Sequence, residues 1–179
     1  MVQLGNLLST YLRADVGAST PQVISAGGNV YVVWEGENEG NYEIYIRRSI
    51  DKGATWKPIF NLSSNPGPST GEEVAVSGSN VYVVWGQIKS GGGLSDIFFS
   101  GSVDGGATWK PFKNLSQNSH SRGPQVAASD SSVYAAWIDY GGNNEDISFR
   151  RSTDKGATWT AVQELCNNIG VSIEPRIGV

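Results

Sequence analysis

The chain has 179 residues, 39% of them hydrophobic, with 23 Gly, 6 Trp, 7 Tyr and 5 Phe, a balance that favours short strands and tight turns over long helices. Its 13 Lys and Arg are scattered among 17 Asp and Glu for a net charge of −4, so there is no basic stripe for nucleic acid, and no apolar run approaches the roughly 20 residues of a membrane span. One cysteine, Cys166, and one histidine, His120, leave no disulfide framework and no cluster with metal-ligand spacing, so neither a metal nor a cofactor is expected.

Residues 1–20 open with Leu4-Gly5-Asn6-Leu7, which resembles Phe60-Asn61-Leu62-Ser63 and Lys113-Asn114-Leu115-Ser116 further on and reads as the close of an outer strand. The extreme N-terminus lacks the charged and then apolar regions of a secretory signal. A first strand, A, is expected at Pro21-Gln22-Val23-Ile24 and is echoed by Pro124-Gln125-Val126-Ala127. Strand B follows as Asn29-Val30-Tyr31-Val32-Val33-Trp34 and recurs at residues 80–85 and 132–137, with Trp34, Trp85 and Trp137 spaced 51 and 52 residues apart. Side chains alternate faces along a strand, so a run this apolar belongs in a sheet covered above and below.

Strand C is expected at Glu43-Ile44-Tyr45-Ile46, Asp96-Ile97-Phe98-Phe99 and Asp146-Ile147-Ser148-Phe149. It leads each time into an octet: residues 49–56, 102–109 and 152–159, starting 53 and 50 residues apart. The shared positions are Ser49, Asp51, Gly53, Thr55 and Trp56, then Ser102, Asp104, Gly106, Thr108 and Trp109, then Ser152, Asp154, Gly156, Thr158 and Trp159. Aspartate accepts hydrogen bonds from the amides of its own turn and glycine takes positive φ. The hydroxyls can tie the two arms, and the tryptophan is a large apolar plug. The octet is therefore read as the hairpin from strand C to strand D, with D beginning at the tryptophan.

These octets resemble the Asp-box of sialidase-type propellers, also called bacterial neuraminidase repeats, with the pattern Ser/Thr-x-Asp-x-Gly-x-Thr-Trp. The resemblance implies an all-β fold, a β-propeller of four-stranded antiparallel blades, with about three complete blades in this chain. The array spans 1–179: a partial strand in 1–20, blades at about 21–71, 72–123 and 124–174, and the start of a further strand at 175–179. Ser- and Pro-rich pieces at 63–69 and 118–123 read as crossovers between blades. Propellers close with about four to eight blades, so either a longer propeller supplies the remainder or a second copy closes the ring as a homo-oligomer. By resemblance the parent protein is extracellular or attached to the cell surface.

Sialidase chemistry, as the resemblance implies it, needs three arginines around a carboxylate, a tyrosine nucleophile and an acid. Arg47-Arg48 and Arg150-Arg151 recur together beside an octet and are read as solvated strand-end charges. Tyr31, Tyr82 and Tyr134 recur and are assigned to packing. An active site is unique where a blade is not, so the informative acids break the repeat: Glu35, Glu37, Glu39, Asp139, Glu145 and the pair Glu72-Glu73, which stands where the other units have Pro-Gln. No catalytic residue is assigned. The expected function is a non-catalytic module that presents its B-to-C loops, 35–40, 86–93 and 138–144, to a glycan or protein, with Glu35, Glu37, Asp139 and Tyr140 as binding residues. The alternatives are a sialidase-like glycoside hydrolase and a scaffold segment of a larger propeller.

Overall fold

A computed structural model describes residues 17–89, 95–118, 120–140, 145–166 and 175–178. Among them are twelve strands and no helix. Blade 1 contains β1 (Ala18–Ala26), β2 (Asn29–Asn38), β3 (Asn41–Ser49) and β4 (Phe60–Asn61) in spatial order. Blade 2 repeats the plan with β5 (Ser69–Ser77), β6 (Asn80–Ile88), β7 (Ser95–Ser102) and β8 (Lys113–Asn114). Blade 3 does so with β9 (Ser121–Ser129), β10 (Ser132–Asp139), β11 (Asp146–Ser152) and β12 (Gln163–Glu164). All neighbouring pairs are antiparallel. Blades 2 and 3 share only the single ladder pair Ser95 and Ser121. The first strands β1, β5 and β9 lie side by side on the inside, and the two-residue fourth strands form the outer edges.

The apolar B strands explain this stacking. Tyr31 and Val33 of blade 1 pack on Val81, Val83 and Trp85 of blade 2 in one core. Tyr82 and Val84 of blade 2 pack on Val133, Ala135 and Trp137 of blade 3 in the next. Each junction thus joins a tyrosine face to a tryptophan face. Both faces of β6 are fully buried from Val81 to Trp85, and replacing a residue such as Trp85 by alanine there costs about 3–5 kcal/mol.

Three boundaries differ from the sequence reading. β2, β6 and β10 run on to Asn38, Ile88 and Asp139, into the expected B-to-C loops 35–40, 86–93 and 138–144, because these residues stay in the ladder with the third strand. The inner strands begin at residues 18, 69 and 121, three residues before the Pro-Gln or Glu-Glu pair, because each crosses a bulge at a left-handed residue: Thr20 (φ 50), Gly71 (φ 66) and Gly123 (φ 58). The register shifts there in each blade, as a bulge requires. Strand D does not begin at the octet tryptophan. The amides of Lys57, Lys110 and Thr160 still reach back to the third strand, but Pro58 and Pro111 have no N–H to continue the ladder, which resumes for two residues only at 60, 113 and 163. The opening strand expected around residues 4–7 lies outside the described residues, and residues 175–178 join no sheet.

Candidate functional site

The three octets form the same hydrogen-bonded turn. Ser49 Oγ donates to Asp51 Oδ1 at 2.7 Å and accepts from the Gly53 amide at 2.8 Å, while Asp51 accepts from the Thr55 amide and hydroxyl at 2.8 and 2.5 Å. Ser102, Asp104, Gly106 and Thr108 repeat this set, as do Ser152, Asp154, Gly156 and Thr158. The threonine bonds, with the serine adding to them, hold Asp51, Asp104 and Asp154 well below the ordinary carboxylate range. Every carboxylate oxygen is committed to its own turn, so the octets are scaffold. Trp109 and Trp159 pack against the core of the preceding junction.

The arginines beside the octets are not simply solvated strand ends. Arg48 reaches across to blade 2, where Nη1 donates to the Gly105 carbonyl at 2.7 Å, an acceptor shared with the Tyr31 hydroxyl at 3.3 Å. Arg150 reaches back to blade 2, donating from Nη1 to the Leu115 carbonyl at 2.7 Å. Strand spacing brings them within reach of the neighbouring blade, which the repeat alone could not show. Two of the repeated acids of the third strand are also committed: Glu43 accepts from the Ser63 hydroxyl and from Asn41, and Asp96 from Asn114 and Ser116, fastening the turns that leave β4 and β8, whereas Oδ1 of Asp146 is buried with no hydrogen-bond partner among the described residues.

The acids that break the repeat divide into two groups. At the starting ends of the inner strands, Glu72 is buried (3% exposed). Its Oε1 accepts from the Thr20 hydroxyl of blade 1 at 3.2 Å, and its Oε2 is buried with no hydrogen-bond partner among the described residues. Burial pushes this carboxyl up to about 7, and the charges of Glu35 and Glu73 add to the effect against the Thr20 bond. Glu73 in turn accepts from Gln125 Nε2 of blade 3 at 3.0 Å, and Glu35 from Ser19 at 3.4 Å. Glu35, Glu72 and Glu73 therefore lie near one another where hydrogen bonds link the inner strands of all three blades.

Asp139 and Tyr140 lie in the second group, on blade 3. Asp139 is bonded by Asn118 and by Ser148. The Arg122 guanidinium sits 4.8 Å above the Tyr140 ring while pairing with Glu145 at 3.0 Å. The Glu37 amide donates to the Gly17 carbonyl at 3.2 Å, and Glu37 pairs with Tyr42 in the ladder of β2 and β3. Residues 90–93 and 141–144 of the other two loops lie outside the described residues. Sequence reasoning marked Glu72 as unusual but did not find its burial; the signal was the loss of the Pro-Gln pair at a single blade. No group of three or more metal-ligating side chains occurs among the described residues.

No protein-family model matches the chain, and no curated protein matches it. Solved structures do resemble it in fold. A Hadza microbial sialidase superposes with a TM-score of 0.58 at 16% identity, over 79% of this chain and 36% of that one. A family 117 glycoside hydrolase of Zobellia galactanivorans gives 0.57 at 13% identity over 88% and 58%. An α-L-arabinanase of Penicillium chrysogenum gives 0.54 at 17% identity over 89% and 52%. The chain spans about a third of the sialidase and a little over half of the other two. Its fold is that of a β-propeller of the glycosidase-like kind, represented here by three blades of an unclosed ring.

Proposed function

We propose that this chain is a glycan-binding module of Asp-box propeller type, and that the ligand enters the mouth of the inner strands beside Glu35, Glu72 and Glu73. The observation that carries the reading is Glu72 itself: a buried carboxyl with one oxygen unpartnered, held near neutrality as the acid. A buried polar atom without a partner is costly, and a site that receives a polyhydroxyl ligand repays that cost by hydrogen bonding. In its neutral form Glu72 donates one hydrogen bond and accepts others, which suits a sugar hydroxyl. Glu35, in the ladder of β2, lies near Glu72, and the hairpin it leads into, which turns at Glu39 and Gly40, differs in sequence from those of the other blades as binding surfaces on a fixed scaffold do. The similar folds named as a sialidase, a glycoside hydrolase and an arabinanase support carbohydrate as the ligand class.

A second reading, glycoside hydrolysis, is favoured by the same carboxyl. Hydrolases of this chemistry use two neighbouring carboxyl groups, one of them with a raised pKa, and Glu72, with its raised pKa, lies near Glu35. A glycan array probed with the full chain, together with turnover assays on a fluorogenic sialoside and a small glycoside panel, separates the readings. The binding reading expects retention of one glycan class without turnover. Turnover abolished by Glu72→Gln or Glu35→Gln would replace it with the hydrolase, and a folded chain that retains no glycan and turns over none would remove both.

A further inference from the structure

We propose that a second carbohydrate site lies in the outer groove between blades 1 and 2, and that it takes an acidic sugar, a pyranose ring carrying a carboxylate. The groove has a volume of about 240 Å³ and runs between Lys57-Pro58-Ile59-Phe60 of blade 1 and the octet of blade 2, with Arg48 and Trp109 among its walls. It is separate from the mouth, since none of Glu35, Glu72 and Glu73 lines it. That a sugar carries the charge rests on the proposed function; the fit to an anion with a flat apolar face rests on the groove itself.

Phe60, 47% exposed, stacks on Trp109 with 6.5 Å between ring centroids and 19° between planes. Such an aromatic platform beside a few placed polar groups is the usual make-up of a ligand site, and it suits the C–H face of a pyranose. The cations stand beside it. Lys57 has its backbone pinned at both ends, the amide donating to the Arg48 carbonyl at 2.9 Å and the carbonyl accepting from Arg47 Nε at 2.7 Å. Its ammonium is exposed, with no hydrogen-bond or ion-pair partner among the described residues. Arg48 is fixed by Nη1 on the Gly105 carbonyl at 2.7 Å, and a guanidinium has further N–H donors after one such bond. No Asp or Glu lines the groove, and a carboxylate is the acceptor that both cations suit.

The equivalent groove between blades 2 and 3 satisfies itself. There Lys113 stands where blade 1 has Phe60, and its Nζ donates to the Ala157 carbonyl of the octet. Arg150 donates to the carbonyls of Thr160 and Leu115. Phe99 stands where blade 1 has the smaller Ile46 and packs edge-on against Trp159 at 5.0 Å. Lys110, the equivalent of Lys57, does not line that groove. The cations of the second groove are thus spent on the protein's own backbone, whereas the first has an aromatic platform in place of Lys113 and an unspent ammonium beside it. A binding site is unique where a blade is not, and the first groove breaks the repeat at residues 46 and 60. The pyranose ring lies on the face of Phe60 and Trp109, and its carboxylate reaches Lys57 and Arg48.

Isothermal titration calorimetry of the full chain with a galacturonate tetrasaccharide, its neutral galactose counterpart and acetate provides the test. The acidic tetrasaccharide is expected to bind, and to bind more weakly as salt rises. Lys57→Ala and Phe60→Ala, both at exposed positions, should each raise its dissociation constant by about tenfold, with far-ultraviolet circular dichroism unchanged, and Lys57→Ala should leave the neutral tetrasaccharide unaffected. A folded wild-type chain that does not bind the acidic tetrasaccharide, or binding that either substitution leaves unmoved, overturns the proposal. Weakening by Glu72→Gln in place of these two assigns the acidic sugar to the mouth, which overturns the groove and leaves the proposed function standing. Acetate bound as tightly as the tetrasaccharide would overturn the sugar as the ligand of the groove.

Discussion

Thr108 is tied twice to Asp104, its amide donating to Oδ1 at 2.9 Å and its hydroxyl to Oδ2 at 2.6 Å. The pairs Thr55 with Asp51 and Thr158 with Asp154 repeat both bonds. Replacing any one aspartate by alanine strands these donors and should lower the melting temperature by several degrees, as differential scanning calorimetry would read it. Unchanged melting in all three single variants would contradict the structural role.

The same carboxylates set an acid limb. Their folded pKa values lie below the unfolded value of about 3.9, at about 2 for Asp51 and lower still for the other two. Their contribution is present above about pH 4 and is lost as pH falls through the folded values. Melting temperature should drop over that acidic window in the wild type and drop less in the triple Asp→Asn variant.

Glu72 gives the opposite slope nearer neutrality. Its folded pKa, about 7 against an ordinary 4.5, means that the folded chain holds the proton more tightly, so stability falls as pH rises between those values. The loss is about 2 kcal/mol once solvent screening is discounted. Glu72→Gln should flatten urea-unfolding free energies across this window, and an unchanged slope would refute the shift.

Gly156 has φ +77, and a Cβ built on it would lie 2.4 Å from Phe99 Cζ. Gly156→Ala should cost about 1–3 kcal/mol from overpacking in addition to left-handed strain. Gly40, at φ +82 with open space around it, should cost only the strain on the same substitution. Equal losses in denaturant unfolding would show that the contact with Phe99 carries no energy.

The blades were legible because their signals are local and repeated: the octets announce one turn three times, and a B strand apolar on both faces demands neighbours on both sides. The bulges were not, since blade 1 has Thr20 in the left-handed conformation that Gly71 and Gly123 take in the other two, so the position carries no repeated residue type. The arginine clamps join residues 57 and 35 positions apart, a pairing that depends on how blades stack and leaves no periodic trace. At the mouth, the Glu72-Glu73 pair was visible as a break in the repeat, while the burial of Glu72 and its approach to Glu35 follow from packing around the bulge. Asp139 stood out by the same test of uniqueness and Tyr140 only as its loop neighbour, yet their partners Asn118 and Arg122 come from the preceding crossover and inner strand.

The central claim is that a glycan enters at the inner-strand mouth, and amide chemical-shift mapping during titration with a glycan retained on the array tests it most directly. The account predicts that the largest shifts fall on residues 19–22, 35–37 and 71–73, and that Glu72→Gln weakens binding by about tenfold. Shifts confined to the octet hairpins or the outer strands, or binding unaffected by Glu72→Gln, would contradict it.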